Sequence, residues 1–180
     1  SFSFKKYGFK NVEILRVNNV IELKNNLNNT YFRGGKKIVY NLNDLQSFTL
    51  LRFLPPKIHD DFCLIIDPDV FVVKDPAHIL KNYLNKQKKK LLCTQMGNKF
   101  KSEVCMINCK NFDLWDFDKI VQDLFNKKID YQNIINFNFI DQAEIGILDE
   151  SLNSLDAIND KTFLLHTTNR LTQPWKEGLD

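Results

Sequence analysis

Two aspartates, Asp67 and Asp69, stand two residues apart directly after the apolar run 62–66. Side chains at positions i and i+2 of a strand point to the same face, so the two carboxylates can converge on one divalent cation. Pro68 between them has no N–H for a strand ladder, which suits the point where a strand gives way to a loop. Carboxylate oxygens suit Mn²⁺ and Mg²⁺, and such an ion can also hold a diphosphate and neutralise its developing charge. The spacing therefore predicts a metal site, with a solvated turn or a helix cap as the alternative.

The elements around this pair predict an α/β domain. The apolar run is typical of a strand covered on both faces in a parallel sheet, and such sheets bind ligands beyond the carboxyl ends of their strands. Strands alternate with helices along the chain, which favours a layered domain with a mostly parallel sheet. The predicted strands are 12–17, 37–40, 62–66, 91–96, 104–108 and 163–166. The predicted helical segments are 45–53, 77–84 and 112–125, and residues 30–35 form a predicted loop.

Composition narrows the class of protein. The chain has 180 residues, 43% hydrophobic and 26% charged, which is typical of one globular domain. Its formal net charge of +3 is too small for nucleic-acid binding through phosphate contacts and suits a small anionic substrate. The four cysteines show no metal-ligand spacing, which indicates reduced, buried thiols. No apolar stretch reaches the ~20 residues of a membrane span, so we predict a cytoplasmic protein, with a membrane-peripheral position as the alternative.

Four further motifs accompany the aspartate pair in a fixed order. They are residues 51–56 with Arg52, residues 104–109 with Trp115, the Asp-Gln pair in 139–142, and His166 followed by Pro174-Trp175. Together with Asp67-Pro68-Asp69 they resemble the motifs of the retaining GT-A glycosyltransferases of family 8, related to glycogenin and the bacterial lipopolysaccharide galactosyltransferases. The resemblance covers residues 51–176.

The resemblance implies a Rossmann-like GT-A fold and a metal-dependent transferase. The enzyme would move a sugar, with retention, from a nucleotide-diphosphate donor to a hydroxyl acceptor on a saccharide, a lipid-linked saccharide or a protein. By analogy, Asp67 contacts the nucleotide ribose and the Mn²⁺ or Mg²⁺ ion. Asp69 is the main metal ligand, and His166 is the third ligand. An imidazole at the end of a strand is chemically suited to that role.

The resemblance also implies the residues that contact the donor. Asp141 and Gln142 would lie against the donor sugar as catalytic residues. Arg52 would engage the donor sugar or the acidic pair, with a structural ion pair as the alternative. The family places a glycine and a lysine where this chain has Asn169 and Gln173. The diphosphate would then need Arg170 or Lys176, and the predicted donor-binding residues are Arg52, Asp67, Arg170, Gln173 and Lys176.

Two other functions fit parts of the sequence. Asp67-Pro68-Asp69-Val70 also fits the strand end of haloacid-dehalogenase-like phosphohydrolases, in which the first aspartate is the nucleophile. That class normally begins with this strand, and here other predicted elements precede it. The second alternative is a non-catalytic GT-A-like fragment that binds a nucleotide sugar weakly.

The beginning of the chain suggests a missing element. Residues 1–8 are typical of the end of a helix, with Gly8 as its stop, whereas related GT-A domains begin with a strand before this helix. We therefore expect an N-terminally incomplete single domain whose parent chain has about 20 to 40 more residues. The 12–17 strand would then form an open edge that weakens nucleotide binding and favours association.

Overall fold

The computed structural model describes residues 2–42, 44, 46–86 and 88–169, which form three β-sheets flanked by short helices. The α-helices are α1 (Phe2–Lys6), α2 (Ile21–Lys24), α3 (Pro55–Ile58), α4 (Ala77–Lys86), α5 (Phe117–Phe125) and α6 (Tyr131–Ile135). The 3₁₀ helices are Val17–Asn19, Ser47–Phe53, Gln142–Glu144 and Glu150–Leu152. The strands are β1 (Thr30–Arg33), β2 (Lys36–Val39), β3 (Phe62–Ile66), β4 (Val70–Val72), β5 (Leu91–Met96), β6 (Lys99–Asn108), β7 (Ile145–Ile147), β8 (Ser154–Leu155) and β9 (Leu164–His166).

The central sheet has the strand order β3-β6-β5-β7. Strand β6 runs antiparallel to both of its neighbours, and β7 runs parallel to β5. Strands β3, β5 and β7 therefore share one direction. Their carboxyl ends and the amino end of β6 meet at the same edge of the sheet.

The predicted α/β class with a mixed sheet and flanking helices is confirmed, but the expectation of a mostly parallel sheet is wrong for the described strands. Gly97 and Asn98 join β5 to β6 as a two-residue turn, and Gly97 has a φ of 58°. Such a turn links only antiparallel strands. Strand β3 is also less covered than predicted: Phe62 is exposed and the remaining residues are half-buried, because β6 is its one partner among the described strands.

Two small sheets complete the fold. Strands β4, β9 and β8 form a three-stranded sheet in which Val70 pairs with His166. Strands β1 and β2 form a hairpin where residues 30–35 were predicted to be a loop. Gly34 and Gly35 both have positive φ, as a tight hairpin turn requires.

Several local predictions are confirmed and others are wrong. The helix predicted over 77–84 is α4, and the strand predicted over 91–96 is β5. Residues 12–16 are not a strand, so the edge strand expected there is not formed, and the edge strands of the central sheet are β3 and β7 among the described strands. The helix predicted over 45–53 is a 3₁₀ helix that begins at Ser47, and Pro55 begins α3, since proline suits a first helical turn.

The central sheet is packed on both faces, because successive strand residues point to opposite sides. On one face, Cys105 and Ile107 of β6 belong to a buried cluster that includes Leu124 of α5. On the other face, Val104 and Met106 pack in a second buried cluster. Each fully buried side chain of this size contributes about 1.5–3 kcal/mol to folding. The packed sheet gives the edge that carries Asp67 and Asp69 a rigid support.

Candidate active site

The aspartate pair occupies the turn between β3 and β4. Asp67 directly follows β3, and Asp69 directly precedes Val70 of β4. Because Val70 pairs with His166 in the antiparallel β4–β9 ladder, the end of β9 lies beside Asp69. The Thr167 N–H donates to the Asp69 carbonyl at 3.0 Å and fixes this register. Two sheets thus bring together the three predicted metal ligands.

Asp67, Asp69 and His166 form a compact cluster. Each offers one ligand atom, and these atoms lie within 4.8 Å of one another. Asp67 and His166 are only 5% and 6% exposed. His166 Nε2 lies 3.3 Å from Asp69 Oδ1, which is buried and has no hydrogen-bond partner among the described residues. An unpartnered buried carboxylate oxygen beside an imidazole nitrogen fits a divalent cation with oxygen and nitrogen ligands.

Asn153 orients the histidine. Its Oδ1 lies 2.9 Å from His166 Nδ1, and its Nδ2 donates to Thr94 Oγ1 at 3.0 Å. An amide oxygen can only accept, so it pairs with a protonated Nδ1, and in the neutral ring this leaves the Nε2 lone pair on the side of the aspartates. This is the arrangement in which a neutral histidine binds a metal. The sequence analysis did not identify Asn153, because no local pattern marks an asparagine whose partner lies 13 residues away on β9.

Arg52 engages the acidic pair. From the 3₁₀ helix Ser47–Phe53, its Nε donates to Asp67 Oδ1 at 2.7 Å, and its Nη2 donates to Asp67 Oδ2. Its Nη1 donates to Ser102 Oγ at 2.7 Å. Contact with the donor sugar, contact with the acidic pair and a structural ion pair were the roles left open for Arg52. The structure shows an ion pair with Asp67. Each Asp67 oxygen accepts one hydrogen bond from Arg52 and keeps a second lone pair.

The buried pair has shifted acid–base properties. Burial raises the pKa of Asp67 above its ordinary value, and the Arg52 guanidinium only partly opposes this. Burial alone would lower the pKa of Arg52, but the Asp67 carboxylate raises it. Arg52 therefore stays charged and holds Asp67 in place beside Asp69.

A polar cavity of about 500 Å³ borders the cluster. Its lining includes Thr94, Lys101, Glu103, Asn153, Asn159 and His166. Its volume is in the range of small-molecule sites, and most of its lining residues carry hydroxyl, amide or charged groups. The cavity lies at the sheet edge where the carboxyl end of β5 meets the amino end of β6.

The structure does not bring Asp141 and Gln142 to this edge. Both are exposed and precede β7, whose Ile145 pairs with the first residue of β5. The Asp141 carboxylate accepts from the Ala143 N–H at 2.9 Å, and Gln142 Nε2 donates to the Phe137 carbonyl at 2.8 Å. A six-residue strand such as β5 is roughly 17 Å long, which separates this turn from the cavity. The catalytic roles of Asp141 and Gln142 therefore stay a prediction from the resemblance. Their position in the structure does not support those roles.

Gln142→Ala distinguishes the two interpretations. Its exposed position away from the cavity predicts little change in stability, of about 0.5 kcal/mol or less, and a turnover within about twofold of the wild type. Contact with the donor sugar predicts a large fall in kcat at an unchanged KM. Steady-state kinetics of the variant measures both parameters. A large fall in kcat would place Gln142 at the donor, contrary to the described arrangement.

The other predicted donor contacts fall elsewhere. Arg170, Gln173 and Lys176 lie outside the described residues, so their roles stay predictions. Within the described part of the chain, no helix is both long and apolar enough to cross a membrane.

Comparisons with known proteins identify the fold. No protein-family model matches the chain, and no curated protein matches it. The apo form of the glycosyltransferase GlyE from Streptococcus pneumoniae TIGR4 matches with 19% identity and a TM-score of 0.53, over 72% of this chain and 39% of that chain. A second structure of GlyE matches with 20% identity and a TM-score of 0.52, over 76% of this chain and 41% of that chain. The chain thus spans about two fifths of the length of these proteins and has the mixed α/β fold of a glycosyltransferase.

Proposed function

We propose that this chain forms the metal-binding part of a glycosyltransferase that moves a sugar from a nucleotide-diphosphate donor to a hydroxyl acceptor. The observation that carries the proposal is the unpartnered Asp69 Oδ1 within the Asp67–Asp69–His166 cluster, at the border of a polar cavity. The glycosyltransferase fold supports the class of reaction. Retention at the anomeric carbon is proposed from the motifs alone.

The residues of the cluster have separate tasks. Asp69 and His166 would bind Mn²⁺ or Mg²⁺ through Oδ1 and Nε2, and Asp67 would add a carboxylate oxygen. A bound ion supplies a positive charge against the leaving diphosphate. Arg52 holds Asp67, and Asn153 holds the His166 ring, so both ligands are oriented before a donor arrives. Catalysis then rests mainly on positioning and electrostatic stabilisation.

A panel of nucleotide sugars tests this function. We expect hydrolysis or transfer of one donor that requires Mn²⁺ or Mg²⁺ and stops in EDTA. Turnover of a simple phosphate ester such as p-nitrophenyl phosphate, with no turnover of any nucleotide sugar, would instead support a phosphohydrolase. Nucleotide-sugar binding without turnover would support a binding module and contradict the catalytic proposal.

Asn153→Ala tests the proposed orientation of His166. Loss of the Oδ1 acceptor frees the imidazole ring, and loss of an orienting partner typically weakens metal affinity about 10- to 100-fold. Titration with Mn²⁺, followed by electron paramagnetic resonance, measures the affinity. Asn138→Ala, at an exposed position, is the matched control. A folded Asn153→Ala variant with wild-type Mn²⁺ affinity would contradict this role.

A further inference from the structure

Glu103 lies on the same edge of the sheet as the metal cluster. The Asp67 N–H donates to the Glu103 carbonyl at 3.0 Å, so the two residues are directly opposite each other. Opposite residues of an antiparallel pair project from the same face of the sheet. The Glu103 side chain therefore stands beside Asp67, and it lines the cavity that His166 borders.

The Glu103 carboxylate is incompletely satisfied. Its Oε1 lies 3.9 Å from Lys101 Nζ, at the limit of an ion pair. Its Oε2 is buried and has no hydrogen-bond partner among the described residues. A buried carboxylate oxygen without a hydrogen-bond partner is costly in free energy. The Glu103 side chain is 21% exposed and lines the cavity, so its carboxylate is placed to accept a hydrogen bond from a ligand there.

The charges around Glu103 restrict what this ligand can be. Glu103 interacts electrostatically with the Asp67 carboxylate and with the Arg52 guanidinium, and Lys101 is its partner at the limit of an ion pair. Its own negative charge disfavours direct contact with the diphosphate, which the proposed cation would hold. Glu103 does not belong to the described cluster whose ligand atoms lie within 4.8 Å of one another, so it is not placed to share the ion. The uncharged part of the proposed nucleotide-sugar donor is its sugar, which carries O–H donors. Such donors form strong hydrogen bonds to a carboxylate.

We propose that Glu103 determines sugar specificity by accepting hydrogen bonds from hydroxyl groups of the transferred sugar. This inference rests on the proposed glycosyltransferase function and extends it to a residue that no sequence motif singled out. A carboxylate has two oxygens that can accept from two vicinal hydroxyls. A donor sugar that lacks one of these hydroxyls would leave a carboxylate oxygen unpaired, which is an effective basis for discrimination.

Calorimetry with matched ligands tests the proposal. The ligands are UDP and GDP, and UDP-glucose, UDP-galactose, UDP-N-acetylglucosamine and GDP-mannose, all with Mn²⁺. For the nucleotide sugar that binds most tightly, its affinity is divided by the affinity of the corresponding nucleotide. This ratio measures how much the contacts to the sugar contribute to binding. We expect Glu103→Ala to lower this ratio about tenfold or more, since hydrogen bonds to charged groups are strong. Affinity for the nucleotide alone should change less than twofold.

Two variants keep the test specific. Glu103→Gln preserves the shape and one acceptor, so it should retain part of the ratio even if Glu103→Ala folds poorly. Glu144→Ala removes an exposed glutamate outside the cavity and should leave the ratio unchanged. Mn²⁺ affinity without nucleotide should be the same in all variants.

The outcomes separate this inference from the proposed function. If the wild-type protein binds no nucleotide in the presence of Mn²⁺, the proposed function fails and the inference fails with it. If nucleotide binds but the sugar adds no affinity, or Glu103→Ala and Glu103→Gln keep the full ratio, only the inference is overturned. A tenfold loss of Mn²⁺ affinity in Glu103→Ala would also overturn it, because Glu103 would then act as a metal ligand.

Discussion

Asp69→Asn is expected to reduce Mn²⁺ affinity by more than about 100-fold, beyond the loss typical of an orienting partner. Asparagine has nearly the same shape but lacks the negative charge that attracts the cation. Asp69 Oδ1 has no hydrogen-bond partner among the described residues, so the substitution removes no described hydrogen bond at that atom. Folding should therefore be preserved while metal binding is lost.

Titration with Mn²⁺ and thermal unfolding of the same samples check this expectation. Asp75→Asn is the matched control, because Asp75 is exposed and its Oδ1 accepts from the Ala77 N–H, a role that asparagine can also fill. The control should bind Mn²⁺ like the wild type. Equal Mn²⁺ affinity in Asp69→Asn and Asp75→Asn would exclude Asp69 as a ligand.

Arg52→Met is expected to lower the free energy of unfolding by about 3–5 kcal/mol, the cost of removing one partner of a buried ion pair. Arg52 supplies both hydrogen bonds to the Asp67 carboxylate, and the two side chains are only 10% and 6% exposed. Without Arg52, Asp67 must remain charged without a counter-ion or take up a proton. Both alternatives destabilise the folded state.

Urea unfolding at neutral pH measures this loss. Lys57→Met is the control, because Lys57 forms ion pairs with Glu22 and Asp118 at the surface, where a pair contributes about 1 kcal/mol or less. The double variant Arg52→Met/Asp67→Leu should recover part of the lost stability, since no charge is then buried. Similar small losses for Arg52→Met and Lys57→Met would show that the buried pair does not stabilise the fold.

Patterns within a short stretch of sequence predicted individual strands and helices. The apolar run before Asp67 identified β3, and the apolar spacing after Pro76 identified α4. The cluster of Asp67, Asp69 and His166 was predicted because the order of the motifs matched that of a known family. That match identified His166 as a ligand although it lies far from the aspartates in the sequence. The burial of β3 was not predictable, since it depends on which strands lie beside it.

Long-range pairing explains the remaining differences. Residues 12–16 have a strand-like composition, but they form no strand ladder in the described structure. Asn153 and Glu103 are placed by the pairing of distant strands, β8 with β9 and β3 with β6. A polar residue that faces a site only through such register leaves no mark in its own neighbourhood of the sequence.

The most direct test of the account is calorimetric titration of the chain with UDP and GDP, in Mn²⁺ and in EDTA. In this account the cation held by Asp67, Asp69 and His166 carries the diphosphate, so at least one nucleotide should bind in Mn²⁺ and binding should disappear in EDTA. Equal nucleotide affinity in Mn²⁺ and in EDTA would contradict the metal-bridged site.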